Sequence, residues 1–206
     1  VAGCPTSAGC PDFTYEATTH AHVVELLLSA GAILIGKTNM DQFATGLVGT
    51  RSPYGVPGNS FNADFIPGGS SSGSAVAVAK GLISFSLGTD TAGSGRVPAS
   101  FNNLLGYKPT RGIISNRGII PACRSLDCVS VFGLQVNDIS EVLLILEDWD
   151  PQDPFSRKKK MLTSSSFTER PRVALLEDDQ LDFFGDSIAR KAYDKSVSVL
   201  AESGLY

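Results

Sequence analysis

The chain has 206 residues, of which 42% are apolar and 18% are charged, so it is long enough to bury a hydrophobic core. Its formal net charge of -4 gives no basic surface that could neutralise phosphates, which argues against a nucleic acid as a direct ligand. No apolar run approaches the roughly 20 residues that a membrane-spanning helix requires, so we expect no membrane segment.

The four cysteines lie in two local pairs, Cys4 with Cys10 and Cys123 with Cys128. Neither pair has the C-x-x-C spacing of common zinc and redox sites, so the sequence predicts no metal site. Two local disulfides are one interpretation of the pairs. Reduced thiols in a cytoplasmic protein are the favoured one.

In the first half of the chain, apolar periodic segments alternate with stretches rich in Gly, Pro, Asn and Ser. They predict, in order, a helix from Thr18 or Thr19 to Ala30, a buried strand at Ala32–Gly36, an irregular loop at Leu47–Gly69, a helix at Ser74–Lys80 that Gly81 ends, and a buried strand at Leu82–Gly88. Helices that alternate with buried strands indicate an α/β fold with a mixed or parallel sheet.

The second half of the chain is less regular and shows no internal repeat. It predicts short strands and turns at Gly112–Pro121, a helix at Asp138–Glu147, a polar connecting segment at 148–171, a strand at Arg172–Leu176 and a helix at Ser187–Ser203.

The segment Gly68-Gly69-Ser70-Ser71-Ser72-Gly73-Ser74 has three interpretations: a flexible linker, a phosphate-binding loop or a catalytic loop. A linker should not be followed at once by a strong helix. The phosphate-binding pattern G-x-x-x-x-G-K-[ST] has its glycines here, but Ser74 stands where the lysine is required. The catalytic interpretation therefore needs a second feature to support it.

That feature is Gly88-Thr89-Asp90-Thr91-Ala92-Gly93-Ser94-Gly95-Arg96, which places Ser94 at a sharp turn directly after a predicted strand. Small residues before Ser94 allow backbone N–H groups to converge on one point, as an oxyanion hole requires. A tight turn with a capping serine is the alternative.

A serine nucleophile needs a base, and histidine is the usual one. His20 and His22 are the only histidines, and they lie two residues apart on a predicted helix, where they would occupy different faces. The G-x-S-x-G elbow fails because Ala92 takes its first glycine position. The S-x-x-K pattern at Ser156–Lys159 lies in a charged run that is typical of a solvated loop.

The two quoted segments together resemble the amidase signature family, and the separation of the two serines, 94 − 70 = 24, is the one expected there. The resemblance implies a mixed β-sheet surrounded by helices and a Ser–Ser–Lys triad, without a metal or cofactor for the amidase step. Ser94 would be the nucleophile, and Ser70, after a cis peptide bond from Gly69, would pass its proton to a neutral lysine. The implied oxyanion hole consists of the N–H groups of Thr91, Ala92, Gly93 and Ser94.

The family's lysine segment would precede Val1, and neither Lys37 nor Lys80 matches it. We therefore expect residues 1–206 to be a partial amidase domain, incomplete at both ends, and close to inactive alone. Gly58 and Ser60 also depart from the family pattern, at positions where an arginine and a proline are expected.

Part of the resemblance is narrower, to allophanate hydrolases, the amidase part of fungal urea amidolyases. It is carried by Val1–Phe13, Gly49–Gly55, Pro121–Cys128 and Asp153–Arg157. It implies a small amide substrate, a full-length enzyme that is a homodimer, and a fused or associated urea carboxylase, the only part that would need biotin and ATP.

Allophanate carries a carboxylate, for which Arg124 and Arg51 are the local cations, although each could instead pair with Asp127 or a loop carbonyl. The family resemblance adds Gly46 as a substrate contact. Another amidase of this family, such as a general amidase, a fatty-acid amide hydrolase or a tRNA-dependent amidotransferase subunit, is the first alternative. A non-catalytic module that holds an anion is the second.

Overall fold

A computed structural model of the chain describes residues 1–158 and 173–204. These residues form two compact units, one within Val1–Lys159 and the other within Lys160–Tyr206. In the first unit the regular elements are β1 (Pro5–Thr6), β2 (Tyr15–Glu16), α1 (His22–Ser29), α2 (Ser72–Ala79), β3 (Phe85–Thr89), α3 (Arg96–Phe101), β4 (Leu105–Tyr107), β5 (Val129–Gly133) and α4 (Val136–Leu146). The second unit contains α5 (Ser187–Glu202).

The main sheet has the strand order β3-β5-β4, and both of its ladders are antiparallel. Strands β3 and β4 therefore run in the same direction, with β5 between them. The helical crossover from β3 through α3 to β4 keeps the α/β alternation that the sequence predicts. The parallel ladders that this alternation suggested are not found among the described strands, because β5 separates the two strands that run in the same direction.

Helices cover both faces of this sheet, so the first unit is a three-layer α/β/α arrangement. Side chains alternate along β5 with the strand period of two. Val129 and Val131 pack in a cluster with residues of α1 and α4, and Phe132 packs with residues of α2 and α3. Phe132 is completely buried, which stabilises the fold by about 2–3 kcal/mol.

Helix α1 begins later than the sequence predicts. Its N-cap is Ala21, which makes no side-chain cap hydrogen bond, and neither Thr18 nor Thr19 caps it. The preceding residues hold the N-terminal segment instead: Gly3 N donates to Ala17 O at 2.9 Å, and Ala2 N donates to His20 Nδ1 at 3.1 Å. The chain therefore turns into the helix only after His20.

The predicted strand at Ala32–Gly36 is not formed. Ile33 is 84% exposed and Ile35 is 74% exposed. The apolar composition favoured a buried strand, but a strand also requires a paired neighbour, and the described part of the chain places none beside this segment. The prediction of strands within Gly112–Pro121 is also wrong, because these residues form turns. The strands β1, β2, β4 and β5 and the helix α3 were not predicted.

Other elements are confirmed within one or two residues. The predicted helix at Ser74–Lys80 is α2, and Gly81 follows it with a φ of +67°. The predicted helices at 138–147 and 187–203 are α4 and α5. Asp186 caps α5 by accepting hydrogen bonds from the N–H groups of Ile188 and Ala189.

The predicted connecting segment 148–171 is described as far as residue 158, and this part belongs to the first unit and packs firmly within it. Asp150 is 2% exposed and accepts hydrogen bonds from Ser115 Oγ at 2.8 Å and Arg117 Nε at 2.7 Å. Residues 159–171 lie outside the described residues. Val173–Leu176, the described part of the strand predicted at 172–176, is irregular.

Candidate active site

The Gly/Ser segment forms a tight loop that ends where α2 begins. The peptide bond between Gly69 and Ser70 is cis, as the family resemblance implies. Ser70 is completely buried, and its carbonyl oxygen accepts a hydrogen bond from Asp41 N at 3.0 Å. Ser71 N donates to the carbonyl oxygen of Ser94 at 3.3 Å, so the backbones of the two loops are joined directly.

The glycines of this loop are required by close packing. A Cβ on Gly69 would lie 2.2 Å from Asp41 Oδ2 and 2.5 Å from Gly49 N. A Cβ on Gly73 would lie 2.6 Å from Asn39 N. These distances leave no room for any side chain, so the segment is a closely packed loop and not a flexible linker.

The turn that carries Ser94 is built around the carboxylate of Asp90, which is completely buried. This carboxylate accepts hydrogen bonds from Gly93 N at 2.7 Å, and from Gly95 N and Arg96 N, both at 3.1 Å. The Arg96 guanidinium adds two more, from Nε at 2.9 Å and Nη2 at 3.0 Å. Burial alone would raise the pKa of Asp90, but hydrogen bonds from Arg96, Gly93 and Gly95 outweigh it and hold the pKa below its ordinary value.

Asp90 also determines which backbone N–H groups of the turn remain available. The N–H of Gly93, one of the four predicted oxyanion donors, is already used by Asp90 Oδ1. The N–H groups of Thr91, Ala92 and Ser94 have no acceptor among the described residues. The structure therefore leaves three of the four predicted donors free to bind an oxygen atom.

The hydroxyl groups of the two predicted catalytic serines are both buried, with Ser94 4% exposed. Ser70 Oγ has no hydrogen-bond partner in the described part of the chain, so the direct contact with Ser94 Oγ that the resemblance implies is not formed here. Lys37 Nζ donates to Pro5 O at 2.8 Å and to Thr6 Oγ1 at 2.6 Å. Lys37, like Lys80 at the end of α2, is therefore not the partner of Ser70.

The two predicted substrate contacts near residue 50 lie together. A Cβ on Gly46, whose φ is +119°, would lie 3.2 Å from Arg51 Cδ, so the Arg51 side chain covers Gly46. The Asp41 carboxylate accepts hydrogen bonds from Gly49 N at 2.9 Å and Arg51 N at 2.7 Å. Asp41 thus ties the loop of Gly46 and Arg51 to the loop of Ser70. Arg124 is exposed on a separate loop that leads into β5.

The sequence alone does not single out two of the buried carboxylates, Asp41 and Asp90, which hold the loops of the site. The sequence does contain one indication of the role of Asp90, because this acidic residue lies between a predicted buried strand and a glycine-rich turn. The two histidines make contacts away from the serines: His20 Nδ1 accepts a hydrogen bond from Ala2 N, and His22 Nδ1 lies 2.8 Å from Arg117 Nη2.

Two kinds of feature are absent from the described residues. No group of three or more His, Cys, Asp or Glu residues among them could hold a metal ion. None of their helices combines the length and the apolar character that crossing a membrane requires.

Known proteins resemble most or nearly all of this chain. The chain is 47% identical to the urea amidolyase of Saccharomyces cerevisiae over 205 residues, which are 99% of this chain and 11% of that protein. It is 43% identical over 152 residues to a mitochondrial glutamyl-tRNA(Gln) amidotransferase subunit of Candida albicans, covering 74% of this chain and 34% of that protein.

Solved structures agree with these sequence relatives. The chain superimposes on Kluyveromyces lactis allophanate hydrolase with a TM-score of 0.87 and 47% identity, over 99% of this chain and 33% of that one. For K. lactis urea amidolyase the TM-score is also 0.87, over 12% of that chain. The chain thus spans about a third or less of these relatives, and its α/β fold is that of their amidase part. The Amidase family model matches residues 1–206, and the chain belongs to the amidase family of hydrolases that act on amide C–N bonds.

Proposed function

We propose that Ser94 and Ser70 are two members of a Ser–Ser–Lys triad that hydrolyses allophanate. The observation that carries the proposal is the Ser70 hydroxyl, which is completely buried and has no partner among the described residues. A buried hydroxyl without a partner is costly and therefore uncommon, and catalysis is one accepted reason for it. The next residue, Ser71, donates its backbone N–H to the carbonyl oxygen of Ser94, so the two serines lie on loops that are joined directly.

In this mechanism Ser94 Oγ attacks the carbonyl carbon of the amide, and its proton passes through Ser70 Oγ to a neutral lysine. None of the described lysines binds Ser70, so the proposed base is a lysine outside the described residues. The negative oxygen of the tetrahedral intermediate would be stabilised by the N–H groups of Thr91, Ala92 and Ser94. The C–N bond then breaks, the amine leaves with the relayed proton, and water hydrolyses the acyl-enzyme.

The substrate is proposed from the relatives together with the charges near the site. Allophanate carries a carboxylate, and Arg124 and Arg51 are exposed residues on two loops, although Arg51 Nη1 also donates to the loop carbonyl Thr45 O at 3.5 Å. Its hydrolysis gives ammonia and carbon dioxide. We further propose that the complete protein is cytoplasmic and homodimeric, with a fused or associated urea carboxylase that supplies allophanate and alone requires biotin and ATP.

A glutamine-dependent amidotransferase subunit is the second candidate, because the chain is 43% identical to such a subunit. A general amidase and a fatty-acid amide hydrolase belong to the same group of alternatives. A non-catalytic module that binds an anion would keep the loops but not use Ser94 as a nucleophile.

The test measures ammonia release by the complete protein from allophanate, acetamide and glutamine. Turnover of allophanate is expected, and the Ser94→Ala variant should lower it by more than about 10³-fold. Ser70→Ala should lower kcat by about 10²-fold or more, because a proton-transfer group is lost. Ser100→Ala, an exposed serine of α3, is the matched control and should retain full activity.

The outcomes separate the candidates. Turnover of glutamine but not allophanate would replace the proposed substrate with that of the amidotransferases. Full activity in Ser94→Ala would refute the triad. Failure of a fluorophosphonate reagent to label Ser94 would favour the binding module.

A further inference from the structure

The loop that precedes β5 is folded around one buried carboxylate, that of Asp127, which is 4% exposed. Asp127 Oδ2 accepts a hydrogen bond from Ala122 N at 3.1 Å, and Cys123 N donates to Oδ1 at 3.0 Å. The backbone N–H of Asp127 donates to Cys123 O at 2.9 Å and closes the loop. The Asp127 carboxylate therefore fixes the backbone of the loop that carries Arg124.

The same carboxylate reaches the oxyanion turn. Thr91 Oγ1 donates to Asp127 Oδ1 at 2.5 Å. The sheet explains this contact, because β3 and β5 are antiparallel and the end of β3 lies beside the start of β5. Asp90 N donates to Cys128 O at 2.7 Å, and Cys128 N donates to Asp90 O at 3.2 Å, which continues the ladder up to the two loops.

The Arg124 side chain has no hydrogen bond or ion pair with any described residue, so the pairing with Asp127 considered from the sequence is not formed. The oxygens of Asp127 are used by Thr91 and by backbone N–H groups instead. A neighbouring cation, Arg111, donates to Ser125 O and holds the tip of the loop. The exposed Arg124 guanidinium is thus available for a carboxylate ligand.

We infer that Asp127 is a positioning residue that fixes the Arg124 loop relative to the oxyanion turn, and thereby sets the preference for amides that carry a carboxylate. Such a substrate places its carbonyl oxygen at the turn and its carboxylate at Arg124. The Asp127 side chain is hydrogen-bonded both to the oxyanion turn and to the loop of Arg124, so the distance between the two subsites depends on it. The inference rests on the proposed function of the Ser94 turn.

The test is calorimetric binding of malonate to the complete protein carrying Ser94→Ala, with malonamide as the neutral counterpart of the same shape, which this variant should not hydrolyse. Thr91→Val removes the hydroxyl that donates to Asp127 and keeps the backbone N–H, whereas Thr91→Ser keeps both. We expect Thr91→Val to weaken malonate binding by about tenfold, the effect of losing one hydrogen bond to a charged group. Malonamide affinity should change by less than about threefold, and Thr91→Ser should bind malonate like the unsubstituted protein.

A double-mutant cycle with Arg124→Gln decides whether the effect passes through the arginine. Arg124→Gln alone should weaken malonate binding, and adding Thr91→Val should weaken it no further, within about twofold. Equal losses for malonate and malonamide, a further loss in the double variant, or no preference for malonate would each overturn the inference. Allophanate turnover, measured on the same Thr91 and Arg124 variants with Ser94 retained, tests the proposed function separately, because malonate binding does not depend on hydrolysis.

Discussion

The substitution Asp90→Asn tests whether a buried negative charge shapes the Ser94 turn. Asparagine keeps an oxygen for Gly93 N and Arg96 Nη2, but its amide group would face Gly95 N, Arg96 N and Arg96 Nε, the three donors now bound to Oδ2. Hydrogen bonds to a charged group contribute about 1.5–3 kcal/mol each. The Arg96 side chain is 56% exposed, so its ion pair contributes only about 0–1 kcal/mol.

The two backbone donors therefore dominate, and we expect the free energy of unfolding to fall by about 3 kcal/mol. We also expect kcat for allophanate to fall by about 10²-fold, because the free N–H groups of the turn move away from the carbonyl oxygen. Thermal unfolding and ammonia release of the complete protein measure both effects. The matched control is Arg96→Gln, which keeps the carboxylate and should cost about 1 kcal/mol or less. The reasoning would be refuted if Arg96→Gln lowered the free energy of unfolding as much as Asp90→Asn does. It would also be refuted if the kcat of Asp90→Asn stayed within about threefold of that of the unsubstituted protein.

Two further substitutions test the packing and charge of the first unit. Gly69→Ala should abolish fluorophosphonate labelling of Ser94, because its Cβ would lie 2.2 Å from Asp41 Oδ2. In the control variant Gly36→Ala the new Cβ would have no atom within 4 Å, so Ser94 should be labelled normally. Equal labelling of the two variants would contradict the packing argument. Burial opposes ionisation of Asp150, but hydrogen bonds from Arg117, Gln152 N and Ser115 outweigh it and lower its folded pKa to about 2 from the ordinary value of 3.8. The ionised Asp150 carboxylate should therefore add about 2 kcal/mol to the free energy of unfolding above about pH 4, and this contribution should be lost as the pH falls toward about 2. Thermal unfolding between about pH 5 and 2 should show the unsubstituted protein losing its advantage over Asp150→Asn, and a constant difference would contradict this origin.

The sequence was informative where a feature is local. The resemblance to the amidase signature family, carried by two local Gly/Ser segments, predicts Ser70 and Ser94 as site residues, and the apolar pattern predicts α2, α4 and α5. The roles of Asp41, Asp90 and Asp127 depend on backbone N–H groups of segments that only folding brings together, such as the contact between Asp127 and Thr91. Such contacts leave no periodic signal in the sequence.

The errors have related causes. The segment at Ala32–Gly36 has the composition of a buried strand, but whether such a segment forms a strand depends on a paired neighbour, which composition does not describe. The short strand β4 is too brief for periodicity to indicate. Thr18 and Thr19, which precede α1, are residue types that favour the N-cap position. The contacts of residues 17–20 with the N-terminal segment nevertheless make the helix begin only at His22.

The position of β5 has a consequence for how this site can diverge. Ser130 and Phe132 face one layer of helices and Val129 and Val131 the other, and a Cβ on Gly95 would lie 2.6 Å from Ser130 Oγ. A single inserted residue within β5 would exchange the two faces and press new side chains against the nucleophile turn. The exposed Arg124 side chain on the loop before β5 is not part of this register. The charge at that position can therefore change while the strand that supports Ser94 keeps its register.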